Sequence, residues 1–238
     1  MRKRKKRALK LLAVVLACVI CTVVLGCVAV WRSGQVQEQG QVPVSGMQQE
    51  KAPELPDIFW SGDRTLLTRD NVVVFDVRYN GTDNNILISL AECIQEEIKN
   101  KGIQAIFLGA ETDGELRTEL LTCGEMDLYI GLSVGADEAD VFGTKCFYNE
   151  AYYTPDYNSV QLCDKLLQNV VTNISGKALG MEICDDRDIL IGMDVPACLL
   201  QIGYRTHAKE GALLQERAYL EKIAAGIVAV VEEYYEGE

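Results

Sequence analysis

Between residue 69 and the C-terminus, short β-branched runs alternate with stretches of helical periodicity, and that alternation leaves few architectures open. Asn71-Val72-Val73-Val74-Phe75-Asp76 is an apolar run ending in a carboxylate, the pattern of a buried parallel strand that opens into a loop at its C-terminal edge. From Ile86 to Lys101, the residues Ile86, Leu87, Leu90, Ala91, Ile94 and Ile98 recur at helical spacing, and Gly102 supplies the stop. Further strands are expected over 103–108, 127–132, 143–148, 189–191 and 197–202, with helices over 114–123, 157–174 and 216–235. Leu162, Leu166, Leu167 and Val170 form one helical face, and Leu220, Ile223, Ala224, Ile227 and Val231 another. The expected fold is α/β: a mostly parallel sheet with helices on both faces, spanning residues 69–238.

The N-terminus reads differently. Arg2 to Arg7 is wholly basic and is followed by an apolar run through Val30 in which Lys10 is the only charge, placed to snorkel toward headgroups. Residues 1–7 are therefore expected as a cytoplasmic tail and residues 8–31 as a single-pass transmembrane signal anchor. By the positive-inside rule the rest of the chain lies outside the cell membrane. A loose lipobox, Val24-Leu25-Gly26-Cys27, offers lipidation at Cys27 as a rival, although the apolar run continues past it. Residues 32–68, rich in Gln, Gly, Pro, Glu and Ser, read as a flexible extracytoplasmic stalk.

Charge narrows the function. Eight of the 23 Lys/Arg lie in residues 1–32, where there is no Asp or Glu, so 15 Lys/Arg face 35 Asp/Glu in the remainder, a net −20. Such a surface repels phosphate backbones, which excludes nucleic acid as a partner and favours a basic one. Six cysteines lie beyond the apolar run: Cys93, Cys123, Cys146, Cys163, Cys184 and Cys198, with no CxxC among them. Their scatter through regular elements argues for free thiols acting as small buried hydrophobes rather than a disulfide framework.

Three loops stand at C-terminal ends of strands: the one carrying Asp83, the one at Ser133-Val134-Gly135, and the one after Gln201-Ile202-Gly203-Tyr204-Arg205. Open α/β sheets bind ligands at that edge. His207 is the chain's one histidine and reads as a turn or surface residue. The acidic run Glu182-Ile183-Cys184-Asp185-Asp186-Arg187-Asp188 reads as a solvated loop, with calcium the alternative. Tyr148, Tyr152, Tyr153 and Tyr157 read as packing at a strand–helix junction, with sugar stacking the alternative.

The order of elements from Asn71 to Tyr235 resembles the zinc-dependent N-acetylmuramoyl-L-alanine amidases of bacterial cell walls, which cleave the bond between muramic acid and the stem peptide. Pro196-Ala197-Cys198-Leu199-Leu200-Gln201-Ile202-Gly203-Tyr204, followed by Ala212-Leu213-Leu214, carries the most specific part of the likeness, to the family's Pro-Ala-Val-Leu-Val-Glu-x-Gly-Phe strand and its helix. Val74-Phe75-Asp76-Val77-Arg78-Tyr79-Asn80-Gly81 stands where the family has its Asp-Pro-Gly-His-Gly-Gly loop, and Ile130-Gly131-Leu132-Ser133-Val134-Gly135 where it has Ile-Ser-Ile-His-Ala-Asn. The resemblance implies an amidase or zinc-exopeptidase-like fold. It also implies that the zinc histidines fall on Tyr79 and Ser133, the zinc glutamate near Asp83, with Asn84 and Asn85 open alternatives, and the catalytic glutamate on Gln201. Zinc is held by Cys, His and carboxylate ligands, so no metal or other cofactor is expected, and no catalytic residue either. Arg78, Asn80, Asn84 and Arg205 would line the surviving cleft.

Three functions follow as expectations. One is a membrane-anchored pseudoenzyme that binds a peptidoglycan fragment or an extracytoplasmic protein, in a regulatory role. The second is an active amidase with a rearranged site such as Asp76, Asp83 and a Cys. The third is a pure protein-interaction module.

Overall fold

The structure is a computed structural model that describes residues 71–78, 84–109, 112, 126–136, 140–149, 157–184 and 193–237. The expected anchor and stalk, the helix over 114–123 and the strand over 189–191 lie outside the described residues. Among the described residues no helix is long and apolar enough to cross a membrane.

In chain order the elements are β1 (Val72–Val77), α1 (Asn84–Ile98), β2 (Gln104–Leu108), β3 (Leu128–Gly135), β4 (Thr144–Tyr148), α2 (Ser159–Ile174), β5 (Ala178–Ile183), β6 (Ala197–Tyr204), α3 (Ala208–Leu213) and α4 (Arg217–Glu236). The strands form one sheet in the order β2-β1-β3-β6-β4-β5. All neighbours pair in parallel except β4 and β6. The expected mostly parallel α/β sheet is thus present.

Strands β1, β3 and β6 occupy the middle of the sheet, and this explains why their sequences are nearly continuous apolar runs rather than alternating ones. One face buries Val73, Phe75, Leu128, Ile130, Leu132 and Leu200 against α1, α2 and α4. Every apolar position read as a helix face is buried there, including Leu90 and Ile94 of α1, Leu166 and Val170 of α2, and Ile223 and Ile227 of α4. Each such side chain contributes about 1.5–3 kcal/mol when withdrawn from water. The opposite face gathers Val72, Val74, Ile106, Leu108, Tyr129 and Leu199 into a second apolar cluster.

Helix ends obey local chemistry. Asn158 caps α2, accepting from the Gln161 backbone N–H at 3.0 Å while the Gln161 side chain accepts from the Asn158 N–H at 2.9 Å. After α1 the chain turns through Asn100 and Gly102, both in the left-handed region at φ 73° and 74°.

Strand β5 was not anticipated. Its sequence, Ala-Leu-Gly-Met-Glu-Ile, is poor in β-branched residues, lies at the sheet edge and is partly exposed throughout. It places Glu182 and Ile183 in a strand and buries Cys184, which corrects the reading of these residues as a solvated acidic loop. Residues 185–188, the remainder of that run, lie outside the described residues. Of helix α3, six residues long, only the end at Ala212-Leu213 was foreseen, through the family resemblance. Cys93, Cys146, Cys163, Cys184 and Cys198 are buried free thiols.

Helices α2 and α4 approach closely at Gly226, where a Cβ would stand 3.0 Å from the Val170 Cα and 3.2 Å from the Asn169 carbonyl carbon. Backbone on the facing helix cannot rotate away, so Gly226→Val is expected to cost about 1–3 kcal/mol by overpacking. A lowered urea midpoint with unchanged denaturant slope checks this.

Candidate functional site

The parallel register of β3 and β6 sets Ser133 directly beside Gln201, and the antiparallel register of β6 and β4 sets Gln201 directly beside Lys145. Register partners project from the same face of a sheet. Here it is the face opposite the helices, since the flanking Leu132, Leu200, Ile202 and Cys146 all belong to the helix-covered core. Just past β1, the Arg78 N–H donates to the Leu132 carbonyl at 2.9 Å, which extends the same row by one position. Arg78, Ser133, Gln201 and Lys145 therefore follow one another across four strands, at the C-terminal side of the parallel β1, β3 and β6 and near the N-terminal end of the antiparallel β4.

Each end of the row is held by a carboxylate. Asp76 is fully buried and accepts from the Tyr129 hydroxyl and, at 3.1 Å, from Arg78 Nε. A buried carboxylate needs such partners, because desolvation otherwise outweighs its other contacts. The Arg78 side chain remains 38% exposed although its Nε is anchored. At the other end Lys145 Nζ lies 2.6 Å from Glu182 Oε1 on β5 and 5.1 Å from the centre of the Phe147 ring. Glu182 is largely exposed, so this pair is screened and weak.

Gln201 is the unusual member. Its Nε2 is buried with no hydrogen-bond partner. A Cβ on Gly135 would stand 2.6 Å from that nitrogen and from the Tyr204 ring, so a larger residue at 135 would displace the carboxamide or the ring. A buried donor without an acceptor costs about 1–3 kcal/mol, and such groups mark places where a partner is absent.

The corner after β6 is built around Glu210, a buried residue of α3. Its carboxylate accepts from the Gly143 N–H at 3.0 and 3.2 Å and from the Tyr204 N–H at 2.6 Å, tying the start of β4 to the end of β6. His207 caps α3, its Nδ1 accepting from the Glu210 N–H at 3.3 Å, and its ring stacks on Phe142 at 4.8 Å. The expectation of a turn histidine therefore holds. Phe142, His207 and Glu210, with Lys177, Leu213 and Tyr219, line a cavity of about 800 Å3 that does not include Ser133 or Gln201.

Of the residues expected to line the cleft, Arg78, Ser133 and Gln201 come together, and exposed Arg205 follows β6 with its N–H on the Gly135 carbonyl at 3.0 Å. Asn84 is the first residue of α1. Tyr79, Asn80 and Asp83, and the side chain of Asn84, lie outside the described residues. Lys145 and Glu210 were missed. A lysine inside an apolar strand shows no face until the partner strand is known, and Glu210 has no sequence signal for the backbone it binds. Of the expected tyrosine cluster, Tyr157 packs edge-on against Tyr234 at 5.0 Å.

The donor chemistry of the row does not fit zinc. A hydroxyl and a carboxamide are poor substitutes for the His, Cys and carboxylate ligands of that ion, and the flanking Arg78 and Lys145 oppose a further positive charge. Among the described residues no three His, Cys, Asp or Glu side chains gather in metal-binding geometry.

Comparison with known proteins adds ancestry. The family profile described as N-acetylmuramoyl-L-alanine amidase matches residues 77–233. The chain is similar to the uncharacterized protein YqiI of Bacillus subtilis (strain 168), 21% identical over 160 residues, covering 65% of this chain and 75% of that protein. Among solved structures it is similar to the amidase AmiC2 of Nostoc punctiforme, with TM-score 0.60, 17% identity, and 69% and 97% of the two chains covered. It is also similar to the CwlD amidase of Clostridioides difficile, solved in complex with the GerS lipoprotein, with TM-score 0.62, 17% identity, and 71% and 100% covered. At these identities the structural likeness speaks for the fold alone.

Two stability predictions follow from the Glu210 corner. Glu210→Ala strands the Gly143 and Tyr204 N–H groups and is expected to lower stability by about 2–4 kcal/mol, read by urea unfolding. Burial, and secondarily the charge of Glu210, pushes the Tyr219 phenol up to about 12. An unfolded tyrosine titrates near pH 10, so the stabilisation is intact below about pH 10 and is lost as pH rises toward 12. The urea midpoint should fall between pH 9 and 11.5, and fall less in Tyr219→Phe.

Proposed function

We propose that this chain, which belongs to the N-acetylmuramoyl-L-alanine amidase family, is a non-hydrolytic member that binds peptidoglycan fragments in the cleft its relatives use for cleavage. The carrying observation is the pairing of Ser133 with Gln201 on adjacent strands. In the resemblance drawn from sequence, these are the positions of a zinc histidine and the catalytic glutamate. A carboxamide cannot accept a proton near neutral pH, so Gln201 keeps the shape of the glutamate without its basicity. Arg78 and Lys145 at the ends of the row disfavour recruitment of a replacement metal.

The proposal extends to location and partners. The basic tail and apolar segment at 1–31 would tether the domain to the cell membrane, with residues 69–238 outside and the stalk giving reach to the wall. The net −20 of residues 33–238 favours a basic extracytoplasmic protein as a second partner. Control of wall remodelling by binding, rather than by cleavage, is the role this combination supports.

Incubation of the purified full chain with peptidoglycan should release no stem peptide, with or without added zinc, while the chain co-sediments with the polymer. Gln201→Glu alone should leave turnover absent, because Ser133 still offers no metal ligand. Chelator-sensitive release of stem peptide by the unmodified chain, or about one tightly held zinc per chain in elemental analysis, would overturn the reading.

A further inference from the structure

Resting on the cleft reading above, we propose that the row Arg78–Ser133–Gln201–Lys145 is a carboxylate-recognition site, so that the ligand is held by an acidic group on its peptide rather than through a metal. The argument starts from donors. Arginine and lysine carry only hydrogen-bond donors, a hydroxyl donates as readily as it accepts, and the Gln201 amide nitrogen is a donor that lacks an acceptor. Where an amidase would present metal and carboxylate, this chain presents cations and N–H groups on one face of neighbouring strands.

Arg78 is the centre of the site. Asp76, buried beneath it and engaged by the Tyr129 hydroxyl, takes Arg78 Nε at 3.1 Å. That contact anchors the guanidinium through Nε while the side chain as a whole stays 38% exposed. A planar, oriented fork matches a carboxylate bidentately, a fit that lysine cannot reproduce. The Gln201 amide, kept in place by the missing side chain of Gly135, supplies a neutral donor to the same group or to a neighbouring amide carbonyl. The charged partner of Lys145 among the described residues is an exposed glutamate, so its ammonium can share a ligand anion at little cost. In a domain of net −17 (13 Lys/Arg against 30 Asp/Glu in residues 69–238), the cations at the two ends of the row also give an acidic ligand a place to approach.

The test is calorimetric titration of the purified full chain with an N-acetylmuramoyl dipeptide ending in glutamate, against the same compound with both carboxyl groups amidated. The acid form should bind at least tenfold more tightly. Lys145→Gln and Arg78→Lys should each weaken the acid form severalfold, and Gln201→Glu should weaken it tenfold or more by setting a negative charge in the row. None of the three should alter the affinity for the amidated form by more than about twofold, and unchanged circular dichroism confirms folding. Equal binding of the acid and amidated forms, unaffected by these substitutions, overturns carboxylate recognition while leaving the cleft reading standing. No binding of either form overturns both.

Discussion

Strand β3 is hydrogen-bonded on both edges, to β1 and to β6, and its residues Leu128 to Leu132 are buried on both faces. That position fixes its register. A slip by one residue would turn Ile130 and Leu132 out of the helix-covered core and drive Ser133 into it. Because the register is locked by apolar packing far from the cleft, Ser133 and Gln201 stand side by side whatever their chemistry. The register of these two positions thus rests on the core rather than on the side chains at the strand edge.

That separation lets the core and the strand edge answer to different demands. Core positions answer to volume and burial, and they are mostly Leu, Ile and Val. Positions in the row answer to chemistry, and there the residues are Arg78, Ser133, Gln201 and Lys145. The cost of the new set is visible locally: Asp76 must be held by Arg78 and Tyr129, and Gln201 keeps an amide nitrogen buried without an acceptor. A bound ligand would relieve the second of these, which ties the one unsatisfied group of the row to its proposed use.

A second constraint acts at the neighbouring corner. Glu210 bonds the backbone of Gly143 and Tyr204, so the antiparallel β4 is pinned against β6. The burial of Cys146 and Phe147 holds the same register, so Lys145 stands opposite Gln201 by core packing and by this pin together. The charged end of the row is thus supported by a buried carboxylate six residues beyond β6.

Most of the architecture was legible in the residues alone. The helical spacing of Leu87, Leu90 and Ile94, and of Ile223, Ile227 and Val231, names buried faces because a 3.6-residue period admits one core-facing stripe. The largely apolar runs of β1, β3 and β6 declare central strands because strands covered on both faces need not alternate with polar residues. The identity of residues 133 and 201 likewise follows from sequence. Edge strand β5 and the start of short α3 were illegible because their conformation comes from pairing and side-chain anchoring, not propensity. Tertiary structure alone decided that Lys145 joins the row, that Asp76 orients Arg78, and that the Gln201 nitrogen has no acceptor. These are relations between residues distant in the chain, set by strand order and register, and local pattern holds no record of them.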